Sequence, residues 1–123
     1  MTDHILELST TVEPAKTFTV DDESYELLGF EHLSPEDEAK ATGAFTRFGQ
    51  LARRLDSASN DSQAATIAKQ LRTRRVDLIA MLTTIPRDVA EKLPLSAQIQ
   101  LFRAVREETG QDGLDDDEGF DNS

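Results

Sequence analysis

A mainly α protein of the α+β kind is what this sequence predicts. It reads as a short N-terminal β-hairpin packed on a helical hairpin, one short and one longer C-terminal helix, and a disordered acidic tail. Three observations carry this. Two apolar stripes recur at three- and four-residue steps between residues 34 and 85, a short alternating segment precedes them, and two proline-led segments follow.

Residues 1–15 hold isolated apolar side chains (Ile5, Leu6, Leu8, Val12) without a lasting period, and Pro14 interrupts them, so a flexible arm is expected. Lys16-Thr17-Phe18-Thr19-Val20 alternates polar and apolar residues, with β-branched and aromatic side chains, as a half-buried strand does. Asp21 to Ser24 supplies turn chemistry without a glycine, and Tyr25 to Leu28 makes the return strand, ended by Gly29. A hairpin this short is marginal alone, so Phe18, Val20, Tyr25 and Leu27 should rest on the helices.

Ser34-Pro35-Glu36-Asp37 is a helix start: a capping serine, a proline suited to the first helical position, and acids at the positive end of the helix. Leu33 just before it can staple the first turn. Ala41, Ala44, Phe45, Phe48, Leu51, Ala52 and Leu55 then form one stripe. Ser57 to Asp61 breaks the pattern, with Asp61 as the expected cap of a second helix bearing Ala64, Ile67, Ala68, Leu71, Leu78, Ile79 and Leu82. So short a break makes the two helices antiparallel neighbours, with Phe45, Phe48 and Leu55 opposite Leu71, Leu78 and Leu82 as core.

Pro86 can open a short helix through Lys92, which Leu93-Pro94 ends. Ser96 is the expected cap of a last helix that buries Ile99, Phe102 and Val105 and closes at Gly110. The expected organisation is therefore an arm at 1–15, one domain at 16–109 and a tail at 110–123. That tail has only Leu114 and Phe120 as large apolar groups, too little burial to offset its ordering entropy.

Composition narrows the function classes. The 123 residues include no cysteine, which removes disulfides, thiolate nucleophiles and zinc–cysteine sites. No run approaches the roughly 20 apolar residues that span a bilayer. Met1-Thr2-Asp3-His4 lacks the basic and apolar regions of a signal peptide, so a soluble intracellular protein is the expectation. The net charge of −11 divides unevenly: residues 1–38 hold 11 acids and one base, residues 39–106 hold 5 acids and 12 bases, and residues 107–123 hold 8 acids and no base. A basic helical middle lies between two acidic ends.

Candidate chemistry is sparse. His4 and His32 lack partners at metal-ligand spacing, and the acidic runs Asp21-Asp22-Glu23 and Asp115 to Glu118 do not follow a calcium-loop register, so no metal or other cofactor is expected. There is no nucleophile-elbow motif, and an enzyme is the least favoured class. The densest basic cluster is Leu71-Arg72-Thr73-Arg74-Arg75, with Arg72 and Arg75 on one helical face and Lys69 nearby. Those two arginines are the candidate partner contacts. Nucleic acid is disfavoured because the acidic ends would repel it and compete for the arginines; an acidic protein partner or the chain's own tail fits better. Small residues on the first helix (Ala39, Ala41, Thr42, Gly43, Ala44) suit core packing first and close approach of a partner helix second.

The segment from Phe18 to Leu27 resembles the "F-x-V-D-G-E-x-Y-E-L" opening of tail assembly chaperones of long-tailed bacteriophages, with Asp22 where that pattern often has a turn glycine. Leu33-Ser34 then leads to a helical pair. Ile85 to Leu93 is similar to the family's "P-x-x-V-x-x-K-L" segment, and the helix from Ser96 to Glu108 to its "L-x-x-L-x-x-F" close, with Ile99 and Phe102. The likeness covers roughly residues 16–108. It implies a non-enzymatic assembly factor in the host cytoplasm, generally absent from the finished virion, that coats the tape-measure protein and helps recruit tail-tube subunits. Self-association into a homo-oligomer is left open. The competing readings are a small structural tail or connector protein retained in the particle, and an adaptor that places Arg72, Arg74 and Arg75 on nucleic acid.

Overall fold

The computed structural model describes residues 14–111. The expected arm (1–15) and tail (110–123) therefore fall almost wholly outside the described residues. Strands β1 (Lys16–Val20) and β2 (Glu23–Leu27) form an antiparallel hairpin, and a single 3₁₀ turn at Phe30–His32 leads to α1 (Pro35–Asp56). The helices α2 (Asp61–Leu82), α3 (Arg87–Lys92) and α4 (Leu95–Glu108) follow. The mainly helical architecture with one hairpin is the one the periodicity predicts. No helix among the described residues is long and apolar enough to cross a membrane.

The hairpin turn is tighter than the sequence suggests. Glu23 and Ser24 belong to β2, so only Asp21 and Asp22 form the loop, and both lie at positive φ, 49° and 70°. Two left-handed central residues are the signature of a type I′ turn, whose twist matches that of the strands. Aspartate tolerates this region better than most residues, though less well than glycine. On the inner face Phe18 stands opposite Tyr25, with ring centroids 5.8 Å apart.

What makes so short a hairpin stable is its far edge. The chain leaving α2 runs alongside β2: Leu28 N–H donates to Leu82 O (2.9 Å), Thr84 N–H to Glu26 O (3.0 Å), and Glu26 N–H to Thr84 Oγ1 (2.8 Å). Leu27 is buried in the core, and Phe18, Val20 and Tyr25 are half-buried against it, as the alternation predicts.

Ser34 caps α1 by accepting from Asp37 N–H (3.1 Å), with Pro35 at the first position. The cap of α2 is Asn60 rather than Asp61: its Oδ1 accepts from Gln63 N–H (2.8 Å), and Gln63 Oε1 accepts in return from Ser59 N–H (2.8 Å). Asp61 falls in the first turn, where its charge still favours the helix dipole. Ser96 is likewise inside α4, whose N-cap position is Pro94. At the other end Gly110 (φ 75°) closes α4, with Gly110 N–H on Glu107 O (3.3 Å) and Gln111 N–H on Arg106 O (2.7 Å), the paired bonds of a Schellman ending.

The core is built around α2, which touches α1, α3 and α4. Phe45, Phe48, Leu71, Leu78 and Leu82 are buried as expected, whereas Leu55 is half-buried and Ala68 exposed. On α4, Phe102 (3% exposed) and Val105 lie inside, but Ile99 is 37% exposed and Gln98 is fully buried in its stead. The reason is a hydrogen-bonding role: Gln98 Nε2 donates to Leu93 O (3.3 Å), just past the end of α3, and adds a second donor to Ala90 O (3.0 Å), which also accepts from Leu93 N–H. Ala41 and Ala44 are buried, so the small residues of α1 serve core packing there.

Two outcomes follow. Asp22→Gly relieves the left-handed strain and should raise stability by about 1 kcal/mol in urea unfolding. Phe102→Ala removes the ring between α1 and α4 and should cost about 3–5 kcal/mol in the same assay.

Candidate functional site

Two turns of α1 and two of α2 meet to form an open groove of about 530 Å³ lined by Arg47, Gln50, Leu51, Arg54, Lys69, Gln70, Thr73 and Arg74. The helical period places the α1 members at steps of three, four and seven, so they form one stripe, and the antiparallel α2 presents its own stripe alongside. Four lining residues are cations and none is an acid. Leu51, half-buried, gives the groove an apolar patch.

Few neighbouring charges quench these cations. Arg74 Nη1 lies 3.6 Å from Asp77 Oδ2, and Asp77 is shared with Arg87, which also pairs with Glu91 (3.2 Å). The hydrogen bond to Asp77 raises the pKa of Arg87. Among the described residues Arg47, Arg54 and Lys69 carry no ion pair. A concave surface with uncompensated charge of one sign concentrates ligands of the other sign. In a chain of net charge −11, this groove is a positive island.

The basic cluster of α2 is thus sorted onto different sides. Lys69 and Arg74 face the groove with Arg47 and Arg54 from α1. Arg72 is exposed on the α3–α4 side of α2, at a smaller cavity of about 130 Å³ with Thr73, Val76, Arg87, Glu91 and Gln98. Arg75 turns inward: its guanidinium carbon lies 5.6 Å from the Phe48 ring centroid and 5.9 Å from that of Phe102. Its Nε is buried without a hydrogen-bond partner. Burial, and secondarily the charge of Arg72, lower its pKa, yet the guanidinium remains a cation at neutral pH. Arg72 and Arg75 therefore share a helical face but not an environment.

Sequence reasoning passed over Arg47, Arg54 and Arg74 as a set because they gather only when α1 and α2 pack. The available signal was the stripe Arg47, Gln50, Arg54, polar along one side of an otherwise apolar-striped helix. Among the described residues no group of three or more acidic or histidine side chains is placed to hold a metal ion. His32 serves the local backbone, its Nδ1 accepting from Gly29 N–H (3.1 Å). No protein-family model, curated protein or solved structure matches this chain.

Arg75 acts through its stacked, partly dry stem, so Arg75→Met should change stability by less than about 1 kcal/mol. Arg75→Glu, which puts an anion against the electron-rich faces of two rings, should cost more than about 2 kcal/mol in thermal or urea unfolding.

Proposed function

We propose that this chain is a non-enzymatic binding protein that holds a helical client in the α1–α2 groove, acting as a tail assembly chaperone toward a phage tape-measure protein and helping to recruit tail-tube subunits around it. The observation that carries the reading is the groove itself: two antiparallel 22-residue helices flank a concave, cation-rimmed surface into which a third helix can lie. The order of elements supports the phage assignment, since hairpin, helical pair, short Pro-led helix and last helix follow one another as the resemblance implies. The four cations favour a client face that carries acids, and the half-buried Leu51 an apolar anchor between them.

Co-expression with the tape-measure protein tests this. The client should stay soluble and co-purify, and about 0.5 M salt should weaken the complex by screening the rim. The combined substitution R47Q, R54Q, K69Q and R74Q should lower retention at least about tenfold, which corresponds to ~1.4 kcal/mol. Arg72→Gln, on the α3–α4 side, should leave it unchanged. An insoluble client, or retention indifferent to the groove charges, would overturn the assignment.

A second reading draws on a different surface. Leu95 (45% exposed) and Ile99 (37%) form an exposed apolar pair one turn apart on α4, the kind of contact a permanent neighbour covers. It corresponds to a structural tail or connector protein retained in the particle. Mass spectrometry of purified virions separates the two: stoichiometric presence favours the structural role, absence the chaperone.

A further inference from the structure

The groove is strongly cationic, and the chain carries its own complementary segment. Residues 112–123 contain six acids (Asp112, Asp115, Asp116, Asp117, Glu118, Asp121) and no base, with Leu114 and Phe120 among them. Resting on the reading of the groove as the client site, we infer that residues 112–123 occupy the α1–α2 groove of the same molecule in the free protein and must be displaced when a client binds.

Charge complementarity comes first. Arg47, Arg54, Lys69 and Arg74 line the groove, the first three with no ion pair among the described residues, and the tail concentrates the opposite sign. Leu114 or Phe120 matches the apolar patch at Leu51. Two other acidic runs are held elsewhere. Asp21, Asp22 and Glu23 are fixed at the hairpin tip, and Glu36, Asp37 and Glu38 in the first turn of α1.

Reach comes second. The Schellman ending at Gly110 and Gln111 turns the chain off the axis of α4. Twelve further residues extend to about 40 Å at full stretch, more than the roughly 33 Å length of a 22-residue helix such as α2. The segment's contour is thus of the same order as the helices that form the groove.

Tethering is the third consideration. A segment on a short linker meets its site at an effective concentration of about 1 mM. A charged contact whose dissociation constant is about 0.1 mM as a free peptide would thus be mostly closed in the intact chain, and a competitor's apparent affinity would fall about tenfold. The result is a self-shielding groove: closed to weak, non-specific anions, open to a client that brings more contacts than the tail.

The test uses full-length protein and a fluorescent synthetic peptide of residues 112–123 as the probe. Three chains are titrated at low salt: the natural one, a tail-neutralised one (D112N, D115N, D116N, D117N, E118Q, D121N), and that tail combined with R47Q, R54Q, K69Q and R74Q. Circular dichroism confirms that each is folded. The tail-neutralised chain should bind the peptide about tenfold tighter than the natural chain, and the combined variant should lose that binding. Equal binding by the first two chains, no binding by either, or tight binding that survives neutralisation of the groove would overturn the proposal. So would masking in the natural chain that appears only as its concentration rises, since the tail would then act on a second copy. No client is present in this titration, so its failure leaves the client reading intact. Loss of co-purification beside a positive titration would instead remove the client reading and keep the tail contact.

Discussion

Phe102 is where the helices converge. Its ring centroid lies 4.7 Å from that of Phe48 and 6.1 Å from that of Phe45, so one side chain from α4 fills the space beside two from α1. Arg106 covers the same ring from its own helix, its guanidinium carbon 4.9 Å from the centroid, and Arg75 of α2 approaches from another side. Tilted aromatic pairs and ring-stacked guanidinium groups add directional attraction to the burial of large apolar area. With this cluster in place α1, α2 and α4 have little freedom to rotate about their axes. Which residues face outward is then decided.

That rotation sets the electrostatics. Because α2 turns Arg75 toward Phe48 and Phe102, the stripe about half a turn away, with Lys69, Gln70, Thr73 and Arg74, faces the polar side of α1. The bases that look like one cluster in the chain become one stacked side chain, one exposed guanidinium and half of a groove. The hairpin contributes at a distance. Its backbone bonds to residues 82–84 fix the end of α2 and cover a strand edge that would otherwise be open to pairing with another chain.

Much of this fold is legible in the residues. The stripe from Ala41 to Leu55, the serine and proline that open α1, and the alternation from Lys16 to Val20 each state one local preference with nothing opposing it. The departures come where two preferences compete. Ile99 looks like core and Gln98 like surface, yet the buried amide of Gln98 ties α4 to the end of α3 through Ala90 O and Leu93 O. Asn60 and Asp61 are both good caps, and the reciprocal bond between Ser59 and Gln63 selects the first. The two-residue turn was hidden because neither Asp21 nor Asp22 is the glycine such a turn usually takes. The groove was the least visible feature. It is a property of two helices at once, and a helical wheel drawn for α2 alone pairs Arg72 with Arg75 rather than Lys69 with Arg74.

Partners, on the reading proposed above, meet this chain at the α1–α2 groove. Site-specific photo-crosslinking tests that claim most directly, with the reactive side chain placed in the groove at Gln50 or Gln70, or on α4 at Ile99, in cells that also make the client. Adducts to the client from Gln50 and Gln70, and none from Ile99, are the predicted result. Adducts from Ile99 with a silent groove would contradict it and move the working surface to the exposed apolar pair on α4.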